Sequence, residues 1–589
     1  MNYPVWDIPA SGLLIAGIAI LHVFISHFAV GGGLFLVLAE RRARREHDEA
    51  FLGYVRQHSR FFTLLTLVLG AITGVGIWFT IGLVHPQATS SLINTFVWAW
   101  AIEWTFFVTE IAAAMVYYYG WDRLSARAHM AVGWIYFVSA YLSLVVINGI
   151  LTYMMTPGGW ITSRGFWDGF FNDTYWPALT TRTFVAFGLA GLYALMTASW
   201  MANTGLKEKV ARYAGLNWIV PMAVVLPLSL AWYLAAAAGA GVPVAEILGA
   251  PAGSVTSMLT AAISGAVTGH PVAQRAAFWV VMASAAVTVL TLITVVLRSR
   301  TFGRPMAATI MVLGFVAMGG GEFVREDLRK PYVIGHYMFV NGIRLPASES
   351  VAQPPHDAIE RFGPDRFTID AVKAAGVLNS SAWVTPLPPN LSAVAGYAAV
   401  AKHQGHELFR ALCSNCHTID GYLALRPLVL GKSASALDGV LQRLAVPVDA
   451  TGAPAAWNKP AVQLKTWRGR RMPPFAGTPE ERQMLAGYLA LLGGAAQADV
   501  AASAAQATVQ AGDIGRTYFE SRCAVCHGPG GMVPFKSKYQ TPAELYGAIG
   551  RLPTINEMMP PFDGTEAERT ALAAHLASLV QQTPKRGAK

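Results

Sequence analysis

The stretch SGLLIAGIAILHVFISHFAVGGGLFLVLAERRARR (residues 11–45) decides the fold of the first half of this chain. Residues 11–39 are almost wholly apolar, and a helix needs only about 20 such residues to cross a lipid bilayer. The preceding segment, MNYPVWDIPA, has no basic region, so we expect a retained membrane helix and not a cleaved signal peptide. The arginines that close the stretch predict that this end of the helix stays in the cytoplasm.

Seven further apolar runs follow, so the sequence predicts eight membrane spans. Of the 589 residues, 54% are hydrophobic and 13% are charged, against about 45–50% and about 25% in soluble globular proteins. A single soluble domain is therefore excluded. The predicted spans are 11–39, 61–83, 96–119, 130–153, 178–201, 214–238, 276–297 and 305–324.

Lysine and arginine residues lie mainly in the loops after the odd-numbered spans. Those four loops hold fourteen of them, whereas the loops at 84–95, 154–177 and 239–274 hold only Arg164. Because positively charged loops stay in the cytoplasm, the N-terminus and everything after span eight are predicted outside. The formal charge of +10 is explained by these loops, so nucleic-acid binding is not expected.

Two copies of one pattern make up the second half of the chain. GHELFRALCSNCHT (405–418) and GRTYFESRCAVCHG (515–528) share a glycine, a phenylalanine and a C-x-x-C-H string at the same spacing. The segments that begin with MPPF at 472 and 559 then align without a gap over 21 positions. Such a repeat predicts two homologous small helical domains. The predicted boundaries are a membrane domain at 1–345, a linker at 346–395, a domain at 396–495, an Ala-rich linker at 496–509 and a domain at 510–589.

The C-x-x-C-H string is the attachment signal for c-type haem, in which two thiols bond the porphyrin and the histidine binds iron. A methionine fixed by prolines suits the second axial position, and methionine with histidine raises the reduction potential. C-x-x-C is also half of a zinc site, but zinc would need a second ligand pair. The predicted haem residues are Cys413, Cys416, His417 and Met472 in the first domain and Cys523, Cys526, His527 and Met559 in the second, with Met558 as a competing axial candidate.

Ionisable residues inside membrane spans are costly and are by default functional candidates. Glu103 and Glu110 are seven residues apart, about 700° of helix rotation, so they share one face of span three and form a predicted carboxylate row. His22 and His27 differ by about 140° in direction, so we expect one to bind a metal and the other to pack. The remaining candidates, at the outer end of span eight, are Glu322, Glu326 and Asp327.

Three strings in the membrane half resemble subunit I of the cytochrome bd family of membrane oxygen reductases. They are AIEW (101–104), GWDRLSARAHM (120–130) and REDLRKPYVIG (325–335). The spacing of His22 and Glu40 also fits, and the likeness runs through all eight spans. The two repeats resemble class I cytochromes c in the order Cys, Cys, His, then Met-Pro. The expected fold class is therefore all-α, an eight-helix transmembrane bundle followed by two small helical cytochrome c domains.

The bd resemblance implies roles for five membrane residues. His22 matches the axial histidine of one high-spin haem. Glu326 matches the glutamate that serves the other, and Arg329 matches the arginine of the same segment. Glu103 and Glu110 match acids at the oxygen-reactive haem and on its proton route, although they are one residue closer together than in the family. As alternatives, His22 only packs, and Glu326 caps span eight or pairs with Arg329.

Two departures from the family concern electron input. The low-spin haem histidine of span five would fall at Thr181, beside Arg182, and neither is a normal haem ligand. Met282 either matches that haem's methionine or fills the core. The long quinol-binding loop is replaced by residues 239–274, which are short, rich in Ala and Gly and without lysine. The two haems c would then collect the electrons.

Together these patterns favour a bd-like oxidoreductase of a respiratory chain in a bacterial inner membrane, fed through periplasmic haems c and reducing O2 or NO at high-spin haems. The alternative is an electron relay between membrane quinol and soluble cytochrome c, and a third interpretation is a membrane anchor for a dihaem cytochrome. The expected cofactors are two covalent haems c and two non-covalent haems, of b type or with one of d type. The expected partners are a second membrane subunit and a soluble periplasmic electron carrier, with quinol left open.

Overall fold

The structure is a computed structural model of the chain. It describes residues 8, 10–248, 260, 272–345, 367–381, 384–385, 397–448, 463–466, 471–501, 514–516, 518–527, 538–556, 559, 562 and 564–582. The two predicted linkers and the loop at 239–274 lie largely outside these residues.

Eight helices in the described residues are long and apolar enough to cross a membrane, which confirms the predicted span count and the all-α class. Each overlaps one predicted span, and span numbers refer to these helices from here on. They run Ser11–Arg45, Glu49–Val84, Val97–Tyr119, Ala126–Tyr153, Tyr175–Ala198, Thr204–Gly239, Ala273–Leu297 and Arg304–Arg329.

Spans two and six start earlier than the hydropathy predicts, at Glu49 and Thr204 rather than at 61 and 214. Their first turns are amphipathic helix, in which apolar residues such as Phe51 are buried between polar neighbours. A hydropathy average misses such turns because the polar residues lower it. The side chains of Asp48 and Asn203 cap these helices by accepting hydrogen bonds from backbone N–H groups.

The loops after the odd-numbered spans meet at one end of the bundle. Lys209, in the first turns of span six, lies 2.7 Å from Glu46, which follows span one. Arg56, in the first turns of span two, pairs with Asp122, which follows span three. The loops after spans five and seven are joined by the pair Glu208–Arg300. All four basic loops therefore share one side of the bundle, as the predicted topology requires.

The core of the bundle lies between spans one and five. A Cβ atom at Gly31 would come within 1.9 Å of the Ala186 carbonyl oxygen, so only glycine fits where the two helices cross. Close by, Phe28 stacks on Tyr193 with ring centroids 3.9 Å apart. Span five is the most deeply buried of the eight. Many large apolar side chains of the other spans are exposed, as surfaces that face lipid allow.

The chain divides into two compact units. One comprises Met1–Val384, Arg410–Leu423 and Arg443–Thr478, and the other comprises Thr385–Phe409, Ala424–Gln442 and Pro479–Lys589. The first C-x-x-C-H string and the axial candidate Met472 thus belong to the same unit as the eight spans.

Equivalent residues of the two repeats make equivalent contacts in the second unit. A Cβ atom at Gly405 would lie 2.4 Å from the Tyr488 Cβ, and one at Gly515 would lie 3.0 Å from the His575 Cβ. Tyr488 and His575 occupy matching positions after the MPPF strings. In both copies a glycine lets the helix before the cysteines pass closely over the helix that ends the repeat.

Short helices and two antiparallel strand pairs complete the described structure. The strands, which the sequence patterns do not indicate, are Tyr332–Ile334 with Met338–Phe339 and Ala445–Val448 with Gln463–Thr466. The remaining helices are Pro86–Thr95, Trp160–Ser163, Phe166–Phe170, Val244–Ile247, Ile369–Ala375, Val377–Ser380, Tyr397–Leu412, Arg426–Val429, Ala434–Leu441, Pro479–Leu492, Ala524–His527, Pro542–Ile549, Leu552–Ile555 and Glu566–Gln582. Spans two, six and seven contain π-helical turns at Leu65–Gly70, Gly215–Ile219 and Ile293–Leu297, and a fourth lies at Phe519–Cys523.

Candidate haem centres and buried acids

The first C-x-x-C-H string lies in residues 410–423, which we call the first attachment segment. The backbone N–H groups of Cys416 and His417 both donate to the Cys413 carbonyl oxygen, at 3.1 and 3.0 Å, so one tight turn carries all three residues. Cys413 and Cys416 form no disulfide among the described residues. Burial raises the pKa of the Cys413 thiol to about 12, so without a covalent partner this thiol is protonated at neutral pH.

His417 is oriented for a metal. Its Nδ1 lies 2.8 Å from the carbonyl oxygen of Leu423. A carbonyl oxygen only accepts, so Nδ1 carries the proton and Nε2 keeps a lone pair for iron. Leu423 presents this carbonyl with a φ of 46°, a conformation that is unfavourable for leucine. The Thr418 hydroxyl, which donates to the Tyr422 carbonyl at 2.8 Å, braces the same loop. These residues fit a c-type haem.

The structure describes the other predicted haem c residues in part. Met472 is half-buried and is followed by two prolines in irregular backbone. Of the haem residues predicted in the second domain, the structure describes the side chains of Cys523, His527 and Met559. The Cys526 side chain and Met558 lie outside the description, so the preference for Met559 stays a prediction. Within the described part of the chain, no three His, Cys, Asp or Glu side chains come together, as a protein zinc site would require.

His22 is held with one ring nitrogen available for a metal. Its Nδ1 lies 3.0 Å from the Thr73 Oγ1, and Thr73 donates its own proton to the Leu69 carbonyl oxygen at 2.7 Å. The hydroxyl therefore accepts from His22, which leaves Nε2 as the ligand atom. Gly74 leaves space for the ring, since a Cβ atom there would be 3.1 Å from the His22 Cε1. This environment suits a histidine that binds haem iron as an axial ligand.

His27 has a different environment, as the 140° between the two directions predicts. It is 4% exposed, and its Nδ1 lies 2.9 Å from the Val23 carbonyl oxygen of its own helix. The nearest charges are those of Arg182 and Glu322. Glu322 lies 3.9 Å from Arg182 and 2.8 Å from Arg325. A buried ionic cluster therefore surrounds His27.

Thr181, where the family's low-spin haem histidine would fall, and Met282, the candidate for its methionine partner, form no ligand pair in the described residues. The Thr181 hydroxyl donates to the Pro177 carbonyl oxygen of its own helix at 2.8 Å. Met282 is 46% exposed on the bundle surface. Its interpretation as a core-filling residue is wrong, because this face of span seven points away from the described helices.

The span-three acids both face span four, which confirms that they share one helix face. Glu103 accepts a hydrogen bond from the Ser143 hydroxyl at 2.9 Å. Glu110 lies 3.0 Å from the Tyr136 hydroxyl. Ser143 and Tyr136 are themselves seven residues apart, so two hydrogen bonds, two helical turns apart, join spans three and four. The Tyr136 hydroxyl also approaches the Ala29 carbonyl oxygen, at 3.1 Å.

A buried polar network that the sequence analysis missed lies nearer the basic loops. Glu40 is fully buried and bonds to the Tyr117 hydroxyl at 2.7 Å and to the His129 Nδ1 at 3.0 Å. Arg44 pairs with the same carboxylate at 2.7 Å. A small gap in the bundle is lined by both Tyr117, the partner of Glu40, and Tyr136, the partner of Glu110. An acid directly after the run at 11–39 and a histidine directly before the run at 130–153 were the available sequence clue.

The outer end of span eight carries paired charges. Glu326 pairs with Arg329, the contact that the sequence analysis offered as an alternative to haem binding. Arg329 also donates to the Val333 carbonyl oxygen at 2.9 Å and is almost fully buried, whereas the Glu326 side chain is 37% exposed. One face of the Glu326 carboxylate is thus held by arginine, and the exposed part is accessible to a ligand. Asp327 pairs with Lys330 at 3.4 Å.

His85 is a second residue that the sequence analysis missed. It follows span two directly, and the charges that act on it are those of Glu326 and Arg329. Burial lowers the pKa of His85 to about 4, so the imidazole is neutral at physiological pH. A neutral imidazole is a metal donor, and His85 therefore joins Glu326 as a candidate at this end of the bundle.

Two family models match parts of this chain. Residues 11–245 match the model described as cytochrome bd terminal oxidase subunit I, and residues 510–576 match that of cytochrome c oxidase, cbb3-type, subunit III. Among solved structures, the bd oxidase from Geobacillus thermodenitrificans matches at 14% identity with a TM-score of 0.44, covering 55% of this chain and 87% of that one. No curated protein sequence gives a significant match.

The class of protein follows from the eight spans, the C-x-x-C-H strings and the two family models. The chain is a multi-pass membrane redox protein of the respiratory type that binds haem. More particularly, it joins a membrane region like cytochrome bd subunit I to a C-terminal region like a cytochrome c domain.

Proposed function

We propose that this chain is a cytochrome c-fed, bd-like oxidoreductase that reduces O2, or NO in its place, in the membrane half. Electrons from a reduced soluble carrier enter at the haems c, and protons arrive through the span-three acids. Reduction of one O2 to two waters consumes four electrons and four protons. Reduction of two NO to N2O and one water consumes two of each.

The observation that carries this proposal is the carboxylate row. Glu103 and Glu110 sit inside a membrane span, where ionisable groups are costly and mark proton or ion pathways. Each has a hydroxyl partner on span four that can exchange a proton with it. Electron transfer alone needs no proton carrier, whereas reduction of O2 needs one proton for each electron. A membrane anchor would leave these acids without a role, and a relay fed by quinol would use them only to release protons.

The residues of this chain would hold four haems. Haem supplies the redox chemistry, namely an iron that changes oxidation state and an open position for a diatomic ligand. Glu103 and Glu110 are the proposed catalytic residues, because they move protons to the reacting atoms. The proposed haem-binding residues are Cys413, Cys416, His417 and Met472, then Cys523, Cys526, His527 and Met559, and in the membrane His22, Glu326 and Arg329. Of these, the iron ligands are His417, Met472, His527, Met559, His22 and Glu326.

The setting of the protein follows from the same proposal. The fourteen cations of the clustered loops favour a cytoplasmic position for that end, which puts the N-terminus and both c domains in the periplasm of a bacterial inner membrane. A periplasmic electron carrier can then reach the haems c. We propose a second membrane subunit, as the bd resemblance implies, and two non-covalent haems of b type or with one of d type.

Oxygen uptake by the purified full chain tests this proposal. We expect consumption with reduced soluble cytochrome c, none with quinol, and a carbon monoxide difference spectrum from the non-covalent haem. Extraction and counting should give two covalent and two non-covalent haems. Glu110→Gln should keep the haem content and lose uptake.

Other outcomes would favour the competing functions. If carbon monoxide binds to no haem, the oxidase proposal is refuted. Quinol-driven reduction of soluble cytochrome c without oxygen uptake would establish the electron relay. Absence of any non-covalent haem would leave only the membrane anchor.

A further inference from the structure

Arg471, directly before the axial candidate Met472, contacts the outer end of span eight. Its guanidinium lies 3.0 Å from the Asp327 Oδ2 and donates to the Lys330 carbonyl oxygen at 3.2 Å and to the Asp327 carbonyl oxygen. The Arg471 and Asp327 side chains are only 14% and 15% exposed. An arginine that donates to a carboxylate and to two carbonyl groups at a helix end fixes both the distance and the relative orientation of the two segments that it joins.

A second contact holds the first attachment segment to the start of span one. The Ala10 backbone N–H donates to the Ser414 carbonyl oxygen at 2.8 Å. The Ser11 hydroxyl donates to the Asn415 Oδ1 at 3.3 Å. Ser414 and Asn415 are the two residues between the haem-binding cysteines, so this contact engages the string itself.

The charges at the end of span eight lie close to the same string. Lys330, Glu326 and Asp327 all act electrostatically on the Cys416 thiol. A haem bonded to Cys416 would therefore stand beside the segment that carries Glu326. All these residues belong to one compact unit.

The two repeats differ at the position that makes this contact. The first reads RGRRMPP, with Arg471 before the methionine, whereas the second reads INEMMPP, with Met558 there and Glu557 before it. The second repeat thus has no arginine for a carboxylate at this position, and the surrounding charge is reversed in sign.

We propose that Arg471 docks the loop of Met472 onto the outer end of span eight while Ser414 and Asn415 dock the first attachment segment onto the start of span one, so that the first haem c is the fixed electron donor to the membrane site at Glu326. The second haem c delivers to the first. One electron would pass from the ferrous second haem c to the ferric first haem c, and one from the ferrous first haem c to a ferric membrane haem. The reduced soluble carrier would restore the ferrous state of the second haem c. Arg471 is a positioning residue in this scheme, which rests on the proposed electron input through the c domains.

Variants of the full haem-loaded chain test the docking. Arg471→Gln and Asp327→Asn each break the same contact, and Arg471→Lys keeps the charge but loses the fork. The control is Arg443→Gln, which removes an exposed arginine of the same unit. Hydrogen exchange of residues 410–423 reports docking, and photolysis of the carbon monoxide complex reports electron return from the membrane haem to haem c.

We expect faster exchange of the segment and at least about tenfold slower electron return in Arg471→Gln and in Asp327→Asn, because each substitution removes the nearly buried ion pair between these two side chains. The double variant should be no slower than either single variant, and Arg471→Lys should be intermediate. The covalent haem spectra should not change.

Three results would overturn the inference in whole or in part. If Arg471→Gln matches Arg443→Gln in both readouts, Arg471 does not dock the segment. If exchange increases but electron return keeps the wild-type rate, the docked haem is not the donor. If the wild-type chain itself shows no electron return, both the proposed electron route and the donor role of the first haem c are refuted. Hydrogen exchange then still tests whether Arg471 makes the docking contact.

Discussion

Replacing Tyr136 with phenylalanine tests the proton role of span three by removing one oxygen atom. The Tyr136 hydroxyl lies 3.0 Å from the Glu110 Oε1 and 3.1 Å from the Ala29 carbonyl oxygen. The side chain is buried, and phenylalanine keeps its ring, so the substitution opens only the space of the hydroxyl. The main loss is the hydrogen-bond donor to the carboxyl group.

The expected size of the effect follows from that contact. A hydrogen bond to a charged group contributes about 1.5–3 kcal/mol. If Glu110 carries protons during turnover, the loss raises the barrier, and about 1.4 kcal/mol corresponds to a factor of ten in rate. We therefore expect oxygen uptake by Tyr136→Phe to fall by about ten- to a hundredfold at unchanged haem content.

The matched control is Tyr175→Phe. The Tyr175 hydroxyl donates to the Val145 carbonyl oxygen at 3.2 Å, and the side chain is also buried. This variant loses one hydrogen bond of a buried tyrosine without touching an acid. Oxygen uptake with reduced soluble cytochrome c, haem spectra and the unfolding temperature are measured for both. Equal uptake in the two variants would refute a proton role for the Tyr136–Glu110 contact.

Three further predictions concern stability and potential. The Lys209 hydrogen bond lowers the pKa of Asp48, so the stabilisation from the ionised Asp48 is complete above the unfolded pKa of about 3.9 and is lost as pH falls through the lower folded pKa. Asp48→Asn, which can still cap span two, should lower the unfolding temperature at pH 7. The difference in unfolding temperature between this variant and wild type should shrink below about pH 4. Gly405→Ala should destabilise the first c domain by about 1–3 kcal/mol through overpacking, measured as heat-induced loss of the haem absorption band, whereas Gly547→Ala, with open space around it, should not. Met472→Leu should lower the midpoint potential of one haem c in a redox titration and leave the other unchanged.

Each of these predictions has a contradicting result. A pH-independent effect of Asp48→Asn would mean that its charge does not stabilise the fold. An equal heat-induced change of the haem absorption band in Gly405→Ala and Gly547→Ala would disprove the close helix crossing. An unchanged potential in Met472→Leu would remove Met472 as the axial ligand.

Hydropathy and repeats along the chain were enough to predict most of the architecture. Eight apolar runs give eight spans because a bilayer requires each crossing to be a continuous helix. The C-x-x-C-H strings are readable because the atoms that attach a haem lie within five consecutive residues. The face shared by Glu103 and Glu110 was also predictable, since a helix repeats every 3.6 residues. The early starts of spans two and six were not, because amphipathic turns average to low hydropathy.

Which side chains contact each other across different spans and segments was decided only by tertiary structure. Glu40 and His129 come from different spans, and nothing local in either span indicates that they meet. Arg471 is one of several arginines in its segment, and only the fold brings it to Asp327. Met282 is apolar like any core residue, yet it is exposed because of the face on which it falls. Local sequence determined which helices form and predicted where haem is attached, since both depend on short-range geometry and solvent. The packing of distant segments decided which charges are paired and buried, because such contacts exist only after the chain has folded.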